Sequence, residues 1–134
     1  MARQVSTFLM FEGKAEEAMT FYVSLFDDAK VDNVVRYGLG GPGPEGSVLH
    51  ASFTLKGQSF MCIDSYAKHQ FTFTPSISIF VDCDSEPEID HLAAALSRSG
   101  QTLMPLDKYP FAEKFGWLAD RFGVSWQLRL NAAT

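Results

Sequence analysis

A chain of 134 residues with 46% hydrophobic and 20% charged positions is sized for one globular domain and is too apolar for intrinsic disorder. Its formal net charge of −5, with no basic cluster, speaks against a nucleic-acid partner, and no apolar run approaches the roughly 20 residues that span a bilayer. Residues 1–4 run into a strand pattern with no signal-peptide features, and Cys62 and Cys83 lack CxxC spacing. The expectation is a cytoplasmic protein with two buried free thiols, a disulfide or a metal pair being the alternatives.

In chain order, residues 5–11 read as a strand, and about 14–26 as an amphipathic helix. Its apolar positions Ala18, Phe21, Tyr22, Leu25 and Phe26 follow helical spacing. Strands are expected over 31–37, 47–55 and 58–64, the last two joined at Lys56-Gly57. Between the first two of these, 38–46 is rich in glycine and proline and reads as a loop. The connection 65–75 carries Tyr66, His69, Phe71 and Phe73. A second half then opens with a strand over 77–81 and a helix whose stripe is Ile89, Leu92, Ala93 and Leu96. Ser85 and Glu88 have capping-box spacing at its start, and Gly100 stands where a C-terminal glycine cap belongs. Strands over 102–104, 115–120 and 124–130 complete it, with a loop over 107–113 that holds Tyr109, Pro110 and Phe111. The aromatic loops suit packed turns, a dimer contact or a lid. Strand-helix-strand-strand-strand, written twice, predicts an α+β fold: one domain of two βαβββ modules, about 4–66 and 75–131.

The tail carries the sharpest signal. Asp120-Arg121-Phe122-Gly123 makes a tight turn into a strand alternating apolar Val124, Trp126, Leu128 and Leu130 with polar Ser125, Gln127 and Arg129. Together with Phe11-Glu12-Gly13-Lys14-Ala15-Glu16-Glu17-Ala18 and the following Phe21-Tyr22 and Phe26, it resembles the PhnB-like branch of the vicinal oxygen chelate superfamily. So do His50-Ala51-Ser52-Phe53 and Phe60-Met61-Cys62-Ile63-Asp64, and the resemblance spans essentially the whole chain. It implies modules whose strands form a curled, mostly antiparallel sheet, helices outside, with a ligand site within. It also implies homodimers, and the label 3-demethylubiquinone 3-methyltransferase that similar proteins carry. In the superfamily's metalloenzymes a glutamate ligand stands at the position of Gln127. The resemblance places the other ligand positions at Thr7, Ser76 and either Cys62 or Asp64.

Alternation turns His50, Ser52 and Thr54 away from the apolar set Leu49, Ala51, Phe53 and Leu55, and leaves Ser76, Ser78, Ser125, Gln127 and Arg129 facing inward. Phe60, Cys62 and Asp64 share a face, so whether Cys62 or Asp64 points inward stays open. Thr7, Ser76 and Gln127 are neutral, weak donors, whereas zinc, iron or manganese wants histidine, carboxylate or thiolate. No metal centre and no cofactor are therefore expected. A methyltransferase would need an S-adenosylmethionine site, yet the glycines of 38–46 are interrupted by Pro42 and Pro44 and precede a strand.

The expected ligand-binding residues are Thr7, His50, Ser52, Asp64, Ser76, Trp117 and Gln127; no catalytic residue is assigned. His50 reads as a hydrogen-bonded structural histidine or as a ligand contact or base. Trp117 reads as core, dimer contact or ligand platform. The function expected is metal-independent binding of a small molecule. The alternatives are an enzyme of the superfamily (a metal-dependent lyase, isomerase or dioxygenase, or the methyltransferase of the label) and a dimeric scaffold without ligand. A homodimer is expected from the aromatic residues around Phe71 and Tyr109, with no nucleic-acid or membrane partner.

Overall fold

A computed structural model describes residues 1–131. The chain divides into two compact units, Met1–His69 and the part from Gln70 onward. Each has the expected βαβββ order.

The first unit contains β1 (Thr7–Phe11), α1 (Ala15–Ser24), β2 (Ala29–Arg36), β3 (Val48–Leu55) and β4 (Gln58–Asp64). Its sheet runs β1-β4-β3-β2, with β1 parallel to β4 and the other neighbours antiparallel. Helix α1 lies over β2, β3 and β4. Its buried stripe is Ala15, Ala18, Met19 and Tyr22. That stripe is rotated from the predicted one, since Met19 packs fully while Phe21 is only half-buried. Under it, Phe53 stacks on Phe60 at 5.1 Å between centroids, and Tyr22 meets Phe53 at 6.4 Å.

One register detail corrects the alternation read from sequence. Val35 pairs with His50 and Arg36 with Val48, which leaves Leu49 as the extra residue of a bulge. Val48 turns into the core at 0% exposure while Leu49 is 42% exposed, so Leu49 is not on the helix face.

The second unit contains β5 (Ile79–Cys83), α2 (Glu86–Ser97), β6 (Gln101–Tyr109), β7 (Ala112–Ala119) and β8 (Ser125–Leu130). Its order, β5-β8-β7-β6, repeats the first unit's, with the parallel pair again formed by the first and last strands of the module. Ile89, Leu92 and Leu96 of α2 are buried, as are Leu118, Trp126 and Leu128 beneath them. Ser85 caps α2 as predicted, its Oγ accepting from Glu88 N–H at 3.3 Å, while Glu88 Oε1 accepts from Asp84 N–H at 2.8 Å.

Three expectations need correction here. The segment 107–113 is no loop: β6 and β7 continue to a hairpin in which Tyr109 pairs with Ala112 across Pro110-Phe111. Proline is tolerated because β6 is an edge strand, and Pro105 lies within it at a register shift. Ile77, the first residue of the strand expected over 77–81, precedes β5 and is 71% exposed. Finally, Ser99 takes the left-handed conformation after α2 (φ 59°), not Gly100. Among the described residues no helix is long and apolar enough to cross a membrane.

Candidate functional site

Each sheet has one face under its helix and one that the helix does not cover. In the first unit, Leu9, Phe11, Ala51, Phe53, Phe60, Cys62 and Asp64 are buried on the helix side. Thr7 shares that parity, paired in register with Phe60, and its Oγ1 accepts from Gln58 Nε2 at 3.5 Å. Asp64 does something specific there. Its Oδ1 accepts from the backbone N–H of Gly13 (2.8 Å) and Ala15 (2.9 Å), and its Oδ2 from Val48 N–H (3.0 Å). Lys14, at the cap position of α1, makes no side-chain capping bond, so the carboxylate of β4 takes the first helical N–H, that of Ala15, instead. Neither Cys62 nor Asp64 lies on the open face. His50 and Ser52 do, both half-buried, with Ser52 opposite Met61 on one side and Asn33 on the other. The His50 imidazole has no hydrogen-bond partner among the described residues.

The second unit's open face holds a connected polar cluster. Trp117 and Gln127 are register partners on β7 and β8, and Phe80 of β5 pairs with Gln127 from the other side. Trp117 Nε1–H donates to Ser125 Oγ at 2.9 Å. Ser125 Oγ and Ser78 Oγ lie 2.6 Å apart, and Gln127 Nε2–H donates to Ser78 Oγ at 3.3 Å. One row further along, Arg129 is paired with Asp82 (2.6 Å) and sits over the Phe80 ring at 4.9 Å, so its charge is locally matched. Trp126, of opposite parity, is fully buried with its indole N–H on Asp120 Oδ2 at 2.9 Å.

Ser76 does not join this cluster. It lies exposed in the turn before β5, its hydroxyl 2.8 Å from that of Thr74. Ser78, immediately before β5, carries the hydroxyl that joins the cluster instead. The two differ by one full alternation, so parity alone could not separate them; Pro75 was the available sign that the strand starts later. Ser125 was legible as inward-facing, but its pairing with Ser78 joins positions far apart in sequence.

The donor chemistry does not suit a transition metal. Among the described residues no three His, Cys, Asp or Glu side chains come close enough to hold one. Burial, then the neighbouring Asp64, pushes the Cys62 thiol up to about 12; burial and nearby carboxylates do the same for Cys83. Both are therefore protonated near neutral pH and poor as metal ligands or nucleophiles.

S-Adenosylmethionine, which a methyltransferase would need, does not fit either strand–helix junction. At the first, the Gly13 and Ala15 N–H groups are taken by Asp64; at the second, Ser85 and Glu88 fill the cap. The glycine-rich segment 38–46 joins β2 to β3 and wraps Tyr37, leaving no room for a side chain at Gly43.

The comparisons agree with this architecture. The chain matches the family described as 3-demethylubiquinone-9 3-methyltransferase over residues 3–129. It belongs to that family. It is 59% identical to a Bacillus cereus PhnB protein that is provisionally assigned as a 3-demethylubiquinone-9 3-methyltransferase. The TM-score is 0.93, covering 96% of this chain and 99% of that one. A Pseudomonas aeruginosa protein is 26% identical with TM-score 0.82, over 97% and 98% of the two chains. The fosfomycin resistance protein FosX of Listeria monocytogenes, 11% identical with TM-score 0.62 over 98% and 95%, shares the fold alone.

Proposed function

We propose that this protein binds a small uncharged or amphipathic organic molecule, without a dedicated transition-metal ion, as a glyoxalase/bleomycin-resistance-type binding protein. The observation that carries the reading is the state of Gln127. Where the superfamily's metalloenzymes place a glutamate, this chain has a neutral amide inside a cluster of serines and indole. Such a face hydrogen-bonds an organic ligand but compensates little of a divalent charge. Methyl transfer, which the family's description denotes, is disfavoured because both strand–helix junctions are already capped by the protein's own groups.

The test uses small molecules carried through purification from the native host and released for mass identification. With the recovered compound, Gln127→Ala is expected to weaken binding by up to roughly tenfold, about 0.5–1.5 kcal/mol for a lost hydrogen bond. Its melting temperature should stay at the wild-type value. A lowered melting temperature with unchanged affinity makes Gln127 structural and removes the proposed site.

The proposal includes a cytoplasmic, reducing setting, supported by the two buried free thiols. It also includes a homodimer. The hairpin tip supports this: Phe111 is 58% exposed while stacked on Tyr109 at 5.5 Å and set edge-on to Phe115 at 5.0 Å.

A further inference from the structure

The hydroxyl protons of the second unit's cluster can be counted. A serine hydroxyl donates once and accepts twice. Ser125 Oγ already accepts from the Trp117 indole, Ser78 Oγ already accepts from Gln127, and the two oxygens share one further hydrogen bond. If Ser78 donated in that bond, Ser125 would have both acceptor sites filled and its own proton left over. Ser125 is only 2% exposed, and an unmade bond there is costly. If Ser125 donates, every proton in the buried part is used and the one left over belongs to Ser78, which is half-buried and on the open face. The second arrangement wins. Trp117 fixes Ser125, Ser125 fixes Ser78, and the cluster presents one oriented O–H beside the second N–H of Gln127.

From this proton count we infer that Ser78 is a specificity-determining donor, and that the ligand class is a flat uncharged ring bearing a carbonyl oxygen. A carbonyl has two lone pairs and can take both the Ser78 O–H and the free Gln127 N–H, whose parent atoms lie 3.3 Å apart. Trp117 and Phe80 flank Gln127 in the same cross-strand row, which suits a ring. The Arg129–Asp82 pair offers no unmatched charge, which disfavours an anion. Ser125 acts only through Ser78 and is a positioning residue. The inference rests on the binding reading above and sharpens it.

The test uses acetophenone, a ring with a carbonyl acceptor, and toluene, a ring without one, each titrated to its solubility limit. Binding is followed by the NMR shifts of the Trp117 indole N–H and the Gln127 side-chain amide. Wild-type protein is expected to bind acetophenone several-fold more tightly than toluene. Ser78→Ala should abolish that preference by weakening acetophenone alone, and Ser78→Thr, which keeps the hydroxyl, should restore it. Ser125→Ala should reduce the preference and move the Trp117 N–H resonance even without ligand. A preference that survives Ser78→Ala in folded protein, or no preference in the wild type, overturns the donor assignment while leaving binding intact. If neither ring perturbs this face, the binding reading fails and the donor assignment fails with it.

Discussion

Asp64 is the residue on which most of the first unit's local structure converges. Three backbone N–H groups from two separate segments end on one carboxylate that is 4% exposed. Asp64→Ala leaves those donors without an acceptor, at about 1–3 kcal/mol for each that water cannot reach. We expect a loss of about 3 kcal/mol or more, read as a lower urea midpoint with an unchanged slope. Asp64→Asn keeps one carbonyl oxygen and should lose less. A near-neutral Asp64→Ala would refute the capping role and reopen the ligand role for this side chain. His50 and Gln127 behave oppositely in this account: half-exposed and lightly engaged, they should tolerate truncation without loss of stability. The sequence could not assign Asp64, because its partners lie 51, 49 and 16 residues away and leave no local signature. It could assign Trp126, because strict alternation from Val124 to Leu130 has only one burial solution.

At the scale of elements, both helices and the order of elements along the chain were legible from periodicity and turn chemistry. What escaped were the places where tertiary context sets the geometry. A bulge opposite Val35 and Arg36 exchanges the roles of Val48 and Leu49, and no propensity marks it. The β6–β7 hairpin was hidden by Pro110, which breaks a strand pattern in sequence but sits harmlessly at the tip of an edge hairpin. Gly100 was assigned for the wrong reason. Ser99 adopts the positive φ, and Gly100 is needed for space: a Cβ there would lie 2.2 Å from the Ala119 carbonyl oxygen. Since that neighbour is backbone of β7, it cannot rotate away. Gly100→Ala is therefore expected to cost about 1–3 kcal/mol through overpacking, seen as a lower melting temperature. An unchanged melting temperature would mean that the close approach of α2's exit to β7 is absent in solution.

For the whole molecule, the two units repeat one pairing scheme while diverging in chemistry. Each joins its first and last strands in parallel, and each closes its strand–helix junction, one with a distant aspartate and one with a local capping box. The repeated scaffold was readable because element order survives divergence; the identity of the polar cluster was not, because it depends on which strand positions come into register. Assembly is checked by sedimentation velocity at micromolar concentration, where a dimer is expected and a monomer contradicts the reading of the aromatic hairpin. The central claim is that this member of the family holds an organic molecule and no resident transition metal. Native mass spectrometry of the protein purified from its own host, before and after dialysis against a chelator, tests it most directly. The account predicts an organic mass increment that survives chelation and is diminished in Gln127→Ala. An increment of one zinc, iron or manganese ion per chain, removed by the chelator, would contradict it.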